Sequence, residues 1–264
     1  MKKIFLVGLI AFASIAASGE QQVQQAVSRL AKGYLAPKAM PDAALILPPP
    51  PAPGSAALAH DEEASKAALA LRGSARWDLA TSDADVFSPK ATGAMSCAAG
   101  IEISPQTTPK LDLLMRRVIG DVATSTRGVK VKYQRARPFM VNGQPTCTPD
   151  WEPVLRKDGS YPSGHAAIGF GWGLILAELV PDRAAQLVAR GRAFADSRRI
   201  CNVHWLSDVE EGSVAASATV ARLHADVAFQ ADLKAVRREL AKAGPVTSDC
   251  AKEAAALGIS TEKP

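Results

Sequence analysis

An apolar run at residues 166–180, entered through Gly159-Ser160-Tyr161-Pro162-Ser163-Gly164-His165, constrains this chain more than any other stretch. Pro162 holds the backbone out of helix, Ser163 is a preferred N-cap type, and the run has helix length and composition, so the spacing predicts a loop-to-helix junction. The first N–H groups of such a helix lack intrahelical partners and sit at the positive end of its dipole. They attract anions, and Gly164, without a Cβ, lets a bulky one approach closely. His165 adds a titratable imidazole beside that spot, where it can move a proton to or from a bound phosphate. Gly169, Gly171, Gly173 and Glu178 interrupt the run, which falls short of the ~20 apolar residues of a membrane span.

Lys2 and Lys3, an apolar segment at 4–13 and the small residues Ser14, Ala16, Ala17, Ser18 and Gly19 have the form of a secretory signal, expected to be removed after residues 1–18. The mature chain is then expected to be periplasmic or secreted. Loss of the two lysines takes the formal charge from +5 to +3, too mild a balance to demand nucleic acid as a partner. About 245 residues remain, enough for one large domain. Four cysteines, Cys97, Cys147, Cys201 and Cys250, are an even number that suits two disulfides in an oxidising compartment. Three pairings are open, and proximity favours Cys97 with Cys147 and Cys201 with Cys250. None of the four has the two-residue gap of a zinc knuckle.

The remaining pattern reads as helices and loops. Residues 19–54 form a lead-in, helical over 20–36, followed by an extended strap in which Pro48 to Pro51 are consecutive. The main helical domain is expected to fill 55–264. Helices are predicted within 55–85 with a break near Gly73, over 108–122 with Asp121 and Gly128 among the residues that end it, and over 166–179, 182–198 and 207–243. Residues 87–100 read as loop. Between the helices, 129–162 carries five prolines and reads as a long structured loop of the kind that holds function. Nothing reads as a strand ladder. The fold class is therefore all-α, a helical bundle.

Two further stretches bear chemistry. Lys130, Lys132, Arg135 and Arg137 put four cations within eight residues. Downstream, His204 and Asp208 are four apart, so on a helix they share a face and the carboxylate can take the ring N–H. Lys132, Arg135 and Arg199 read as solvated or loop-ordering charges. His60 and His224 read as ordinary surface or packing residues, Trp205 as a core anchor, and Tyr161 and Phe139 as candidates to line an entrance.

Taken together, Lys130 with Arg137-Pro138 six residues on, then Pro162-Ser163-Gly164-His165, then Ser197-Arg198, His204 and Asp208 are eleven specified residues at fixed spacings. In order and spacing they resemble the three-part signature of the type 2 phosphatidic acid phosphatase superfamily, which also includes the vanadium haloperoxidases. The signal segment, the Leu47 to Pro51 strap, the stretch from Arg76-Trp77 to Asp83-Ala84-Asp85, and Gly159-Ser160-Tyr161 look most like the bacterial class A non-specific acid phosphatases. The chain departs from that class at Ala166, where the pattern has Thr.

The resemblance implies a bundle of that superfamily's type and an acid phosphatase of broad specificity. It further implies His204 as nucleophile, Asp208 as its orienting partner and His165 as the acid that protonates the leaving oxygen and then activates water. Lys130, Arg137, Ser163, Gly164 and Arg198 would bind the phosphoryl group. Chemistry agrees, because phosphoryl transfer spreads charge over three equatorial oxygens and three cations can meet it. No metal or cofactor is called for. The expected partners are small phosphate monoesters, with vanadate and phosphate as inhibitors, no nucleic acid and no membrane span in the mature form; a homo-oligomer is compatible with the sequence. Phosphotransfer to alcohols is an expected side activity. Three rivals are a vanadium-dependent haloperoxidase, a soluble lipid-phosphate phosphatase and a phosphate-binding protein without turnover.

Overall fold

In the computed structural model, residues 31–258 are described, and the signal segment at 1–18 lies outside them. The fold is all-α, and backbone pairing between extended segments among the described residues amounts to an isolated bridge from Ile101 to Pro245. Eight helices carry the architecture: α1 Ala56–Leu69, α2 Ala75–Asp83, α3 Pro109–Tyr133, α4 Gly164–Leu179, α5 Ala184–Ile200, α6 Leu206–Leu223, α7 Val227–Leu240 and α8 Ala251–Leu257. Among the described residues, none of the helices is long and apolar enough to cross a membrane.

Helix α4 is the central element because its sequence is apolar on every face. It packs most extensively against α5, then α6 and α3. Its glycines make the α4–α5 crossing close: a Cβ on Gly173 would meet the Leu187 carbonyl oxygen at 2.8 Å, and one on Gly191 would meet that of Gly169 at 3.0 Å. Trp172, fully buried in the same helix, donates its indole N–H to the Met115 carbonyl at 3.0 Å and meets the Phe194 ring edge-on. The core then extends through Leu111, Val118 and Ile119 of α3 to Phe229 and Leu233 of α7.

Local capping explains several boundaries. Ser55, Ser74 and Ser163 cap α1, α2 and α4 through their hydroxyls, and the predicted break between α1 and α2 falls at Gly73, whose φ is +78°. Other boundaries differ from expectation. The lead-in is not helical over its described residues, 31–36, and the proline strap opens with short helical turns at Pro37–Ala39 and Ala43–Ile46. The supposed loop at 87–100 contains two more, Ala91–Met95 and Ser96–Ala99.

Helix α3 runs through both residues expected to end it. Asp121 does not break it because its carboxylate accepts the backbone N–H groups of Tyr34 and Leu35, each at 2.9 Å, pinning the lead-in to the helix side. Gly128 faces open space, and its propensity cost of about 1 kcal/mol is borne by the long helix around it. The expected helix over 207–243 is two, because Asp226 caps a new start by accepting the Phe229 N–H at 3.0 Å. The disulfides join Cys97 to Cys250 and Cys147 to Cys201, not the pairs favoured by proximity. Cys97 lies in the helical turn Ser96–Ala99, which packs on α5, while α8, capped by Cys250, packs on α2 and reaches α5 through Glu253 on Arg190, so tertiary packing overrides distance along the chain.

Candidate active site

Four segments converge where α4 begins: the C-terminal turn of α3, the segment from Gln134 to Pro162, the start of α4, and the turn between α5 and α6. The loop expected over 129–162 starts only after α3 ends at Tyr133 and holds short helical turns at Pro138–Asn142, Pro149–Trp151 and Glu152–Leu155. The three-residue stretch Asp158-Gly159-Ser160 joins them. Gly159 lies so close to the end of α3 that a Cβ there would stand 2.7 Å from the Lys130 carbonyl oxygen. Its own carbonyl accepts Lys130 Nζ at 2.5 Å, and the Ser160 N–H donates to the Arg135 carbonyl at 2.8 Å.

Arg137 is buried beneath this stretch. Its Nε donates to the carbonyls of Leu155 and Asp158, its Nη1 to the Val203 carbonyl at 3.0 Å, and its Nη2 to an Asp158 carboxylate oxygen at 2.9 Å. Nη1 also lies 2.9 Å from His204 Nε2. An arginine only donates, so Nε2 must accept and carry a lone pair. The ring proton therefore sits on Nδ1, which faces Ser160 Oγ and Asp208 Oδ2, both at 3.4 Å. Asp208 is in turn held by the Trp205 N–H at 2.8 Å, by a short bond from the Ser160 hydroxyl and by Arg135 Nη1 at 2.7 Å.

His204 and Asp208 thus meet, but not as two residues on one helical face. His204 precedes α6, in a turn whose Val203 and His204 N–H groups both reach the Arg198 carbonyl, each at 3.2 Å. Asp208 is in the first turn of α6 and reaches back. The Ser163 N–H donates to the Asp208 carbonyl at 2.8 Å, and Gly212 lets α6 come this near, since a Cβ there would collide with the Ser163 carbonyl. A Cβ on Gly164 would meet only Thr126 Oγ1, at an ordinary 3.5 Å. Protein packing does not demand glycine at that position.

Residues 114–231 match the sequence profile of the PAP2 superfamily. An acid phosphatase of Zymomonas mobilis is 42% identical over 202 residues, covering 76% of each chain. A non-specific acid phosphatase of Salmonella typhimurium is 41% identical over 74% of this chain and 78% of its own, and one of Providencia stuartii is 38% identical over 76% and 82%. The chain belongs to the PAP2 superfamily.

The electrostatics of this PAP2 site are dominated by buried positive charge. Burial and then Arg137 push Lys130 down to about 8, and burial and then Arg137 push Arg198 down to about 9. Burial also drives both histidines well below the usual imidazole range. For His165 the next cause is Arg198 and then His204; for His204 it is Arg137 and then Lys130. His165 has its Nε2 3.3 Å from the Ala84 carbonyl at the end of α2 and an edge-on contact with Phe87. Arg198 is almost wholly buried, yet its Nε and Nη1 have no hydrogen-bond partner among the described residues. Buried guanidinium donors left in that state call for a partner that the described residues do not supply.

Sequence reasoning missed several participants. Arg135, read as solvated or loop-ordering, is a partly buried bridge between Asp208 and Asp61, with Asp61 also accepting the Ser207 N–H at 2.8 Å. Ser160 stood inside the junction motif without a role. Asp61 and Asp158 have no local signal at all; only the fold brings them in. Two further readings need correction. Tyr161 and Phe139 line no entrance: both are buried, Tyr161 under the strap with its hydroxyl on the Pro48 carbonyl at 2.6 Å, Phe139 beside Ile200 and Cys201. The motif residue Ser197 donates instead to Asp83, in a separate buried network.

Proposed function

We propose that this protein is a broad-specificity acid phosphatase that transfers the phosphoryl group of a monoester to His204 and then to water. The observation that carries the reading is the fixed tautomer of His204, with its N–H side turned to Asp208 and Ser160 and its lone pair turned to Arg137. The names of its relatives, acid phosphatase and non-specific acid phosphatase, support the same class.

Lys130, Arg137 and Arg198 receive the equatorial oxygens of the phosphoryl group, with Ser163 and Gly164 as neutral donors from the start of α4. His204 Nε2 attacks phosphorus in line, its bond to Arg137 passing to a phosphoryl oxygen. The bond from phosphorus to the ester oxygen breaks, and protonated His165 gives that oxygen its proton. The Nδ1 proton stays between the ring and Asp208, which stabilises the positive charge of the phosphohistidine. In the second step neutral His165 takes a proton from water, the water oxygen attacks phosphorus, and the N–P bond breaks to release phosphate. No step runs through a metal, because the three cations supply the charge that a two-ion phosphatase draws from its metals. The depressed basicity of His165 is offset by substrate: a phosphoryl dianion beside the ring favours its protonated form. Interception of the phosphoenzyme by an alcohol gives phosphotransfer as a side reaction.

We also read the enzyme as exported, with a signal segment at 1–18 and a main domain over 55–264. The two disulfides support an oxidising compartment. The test is hydrolysis of an aryl phosphate by the mature protein in the presence of chelator, across acidic to neutral pH, beside His204→Ala. Release that survives chelator, is blocked by vanadate and falls by about 10⁴-fold or more in the variant is expected. Tight phosphate or vanadate binding with no release sinks the reading.

A further inference from the structure

The three cations differ in what they hold. Arg198 has two buried donors without partners among the described residues, whereas Arg137 spends every one of its N–H groups inside the protein and Lys130 is tied to the Asp158-Gly159 turn. Asp158 makes the difference. One of its carboxylate oxygens bridges Arg137 Nη2 at 2.9 Å and Lys130 Nζ at 3.2 Å. A single anionic oxygen shared by an arginine and a lysine is the contact a phosphoryl oxygen would make. Yet the Asp158 side chain is 51% exposed, so rotation about its χ1 carries it into water without unpacking the core.

Resting on the phosphatase reading above, we propose that Asp158 is a resident competitor for the phosphoryl site. It neutralises Lys130 and Arg137 while the cradle is free of phosphate, yields to the incoming phosphoryl group, and thereby sets how tightly substrate and product phosphate are held. Its backbone stays in place throughout, since the Asp158 carbonyl holds Arg137 Nε at 3.0 Å and the adjoining Gly159 is seated on α3. Only the side chain moves. The apparent affinity for phosphate is then the intrinsic affinity scaled by the fraction of molecules in which Asp158 has swung away. For an enzyme that must release inorganic phosphate at every turnover, such a counter-anion shortens the residence of product.

The opposite role is a carboxylate that merely positions Arg137 and Lys130. The two roles predict opposite signs. Asp158→Asn keeps the side-chain volume and removes the charge, and Asp158→Ala removes both. If Asp158 competes, inorganic phosphate inhibits hydrolysis of an aryl phosphate about tenfold more strongly in both variants, KM falls in the same direction, and phosphate raises the melting temperature of each variant more than that of wild type. Unchanged or weakened phosphate inhibition in the variants, with wild type inhibited normally, overturns the proposal and leaves the phosphatase reading standing. A wild-type protein that neither hydrolyses aryl phosphate nor binds phosphate takes down both.

Discussion

Helix α5 carries two arginines eight residues apart, both almost fully buried, and they live in opposite circumstances. Arg190 is saturated: Asp83 takes Nη1 at 3.0 Å and Nη2 at 2.5 Å, and Glu253 of α8 takes Nε at 3.0 Å. The network closes through the Ser197 hydroxyl on Asp83 and Arg76 on Ser197. Burial works against the charge of Arg190, but Asp83 and then Glu253 more than offset it, and its basicity is raised. Arg198 has burial and then Arg137 against it, which the charge of Asp83 offsets only in part, and its basicity falls to about 9. One helix thus presents a charge that the fold completes and a charge that it leaves for something else to complete.

The comparison predicts that stability belongs to the first arginine and chemistry to the second. Replacing Arg190 by Met strands Asp83 as a buried carboxylate with only hydroxyl support. Loss of one partner from a buried ion pair costs ~3–5 kcal/mol, so urea unfolding of Arg190→Met is expected to show a loss of that size. Activity on an aryl phosphate below the unfolding transition should stay within a few-fold of wild type. A variant as stable as wild type breaks the comparison on its structural side.

The next largest effect is expected at Arg198. Arg198→Met removes a donor aimed at transition-state charge, which typically costs about 10²–10³-fold in rate. The same change removes a buried charge that Asp83 offsets only in part, so its melting temperature without ligand should match or exceed that of wild type. Stabilisation by saturating phosphate, about 2.7 kcal/mol at a hundred times Kd, should largely disappear. Loss of stability without loss of activity would reverse the assignment of the two arginines.

How much of this was open to sequence alone follows from the range of each interaction. The Ser163 cap, the break at Gly73 and the identity of the cationic and histidine residues rest on local chemistry or fixed spacing, and the chain states them directly. Motif spacing singles out Arg198, but nothing local says that Arg190 is saturated, because its partners lie far along the chain: Asp83 is 107 residues from it, and Glu253 is 63 away. The same holds for Asp121, whose partners are the N–H groups of Tyr34 and Leu35, and for the disulfides. The Asp61–Arg135–Asp208 chain escaped notice because Asp61 lies on α1, 74 residues before the arginine it holds. Charges that serve structure and charges that serve a site are told apart by partners, and partners are a property of the fold.

The smallest expected effect tests the same contrast through pH. His165 and His204 titrate well below the usual imidazole range when folded and near 6.5 when unfolded. Between those values the unfolded chain binds more protons, so the neutral histidines contribute stability that is fully present above about pH 6.5 and is lost as pH falls. Each group can contribute a slope of up to about 1.4 kcal/mol per pH unit. His224 opposes this: although burial alone would lower it, the hydrogen bond to Glu178 raises it, so its contribution is present at low pH and lost as pH rises. That pair is partly exposed and screened, and the two site histidines should prevail. After burial, Arg198 is the leading cause of the depressed basicity of His165. Arg198→Met should therefore make the acid limb of stability shallower, measured by urea midpoints from pH 7 to 4.5, while saturating phosphate should flatten it in wild type by favouring the imidazolium. An acid limb equally steep in both proteins would mean that the buried charge of Arg198 is not what holds His165 neutral.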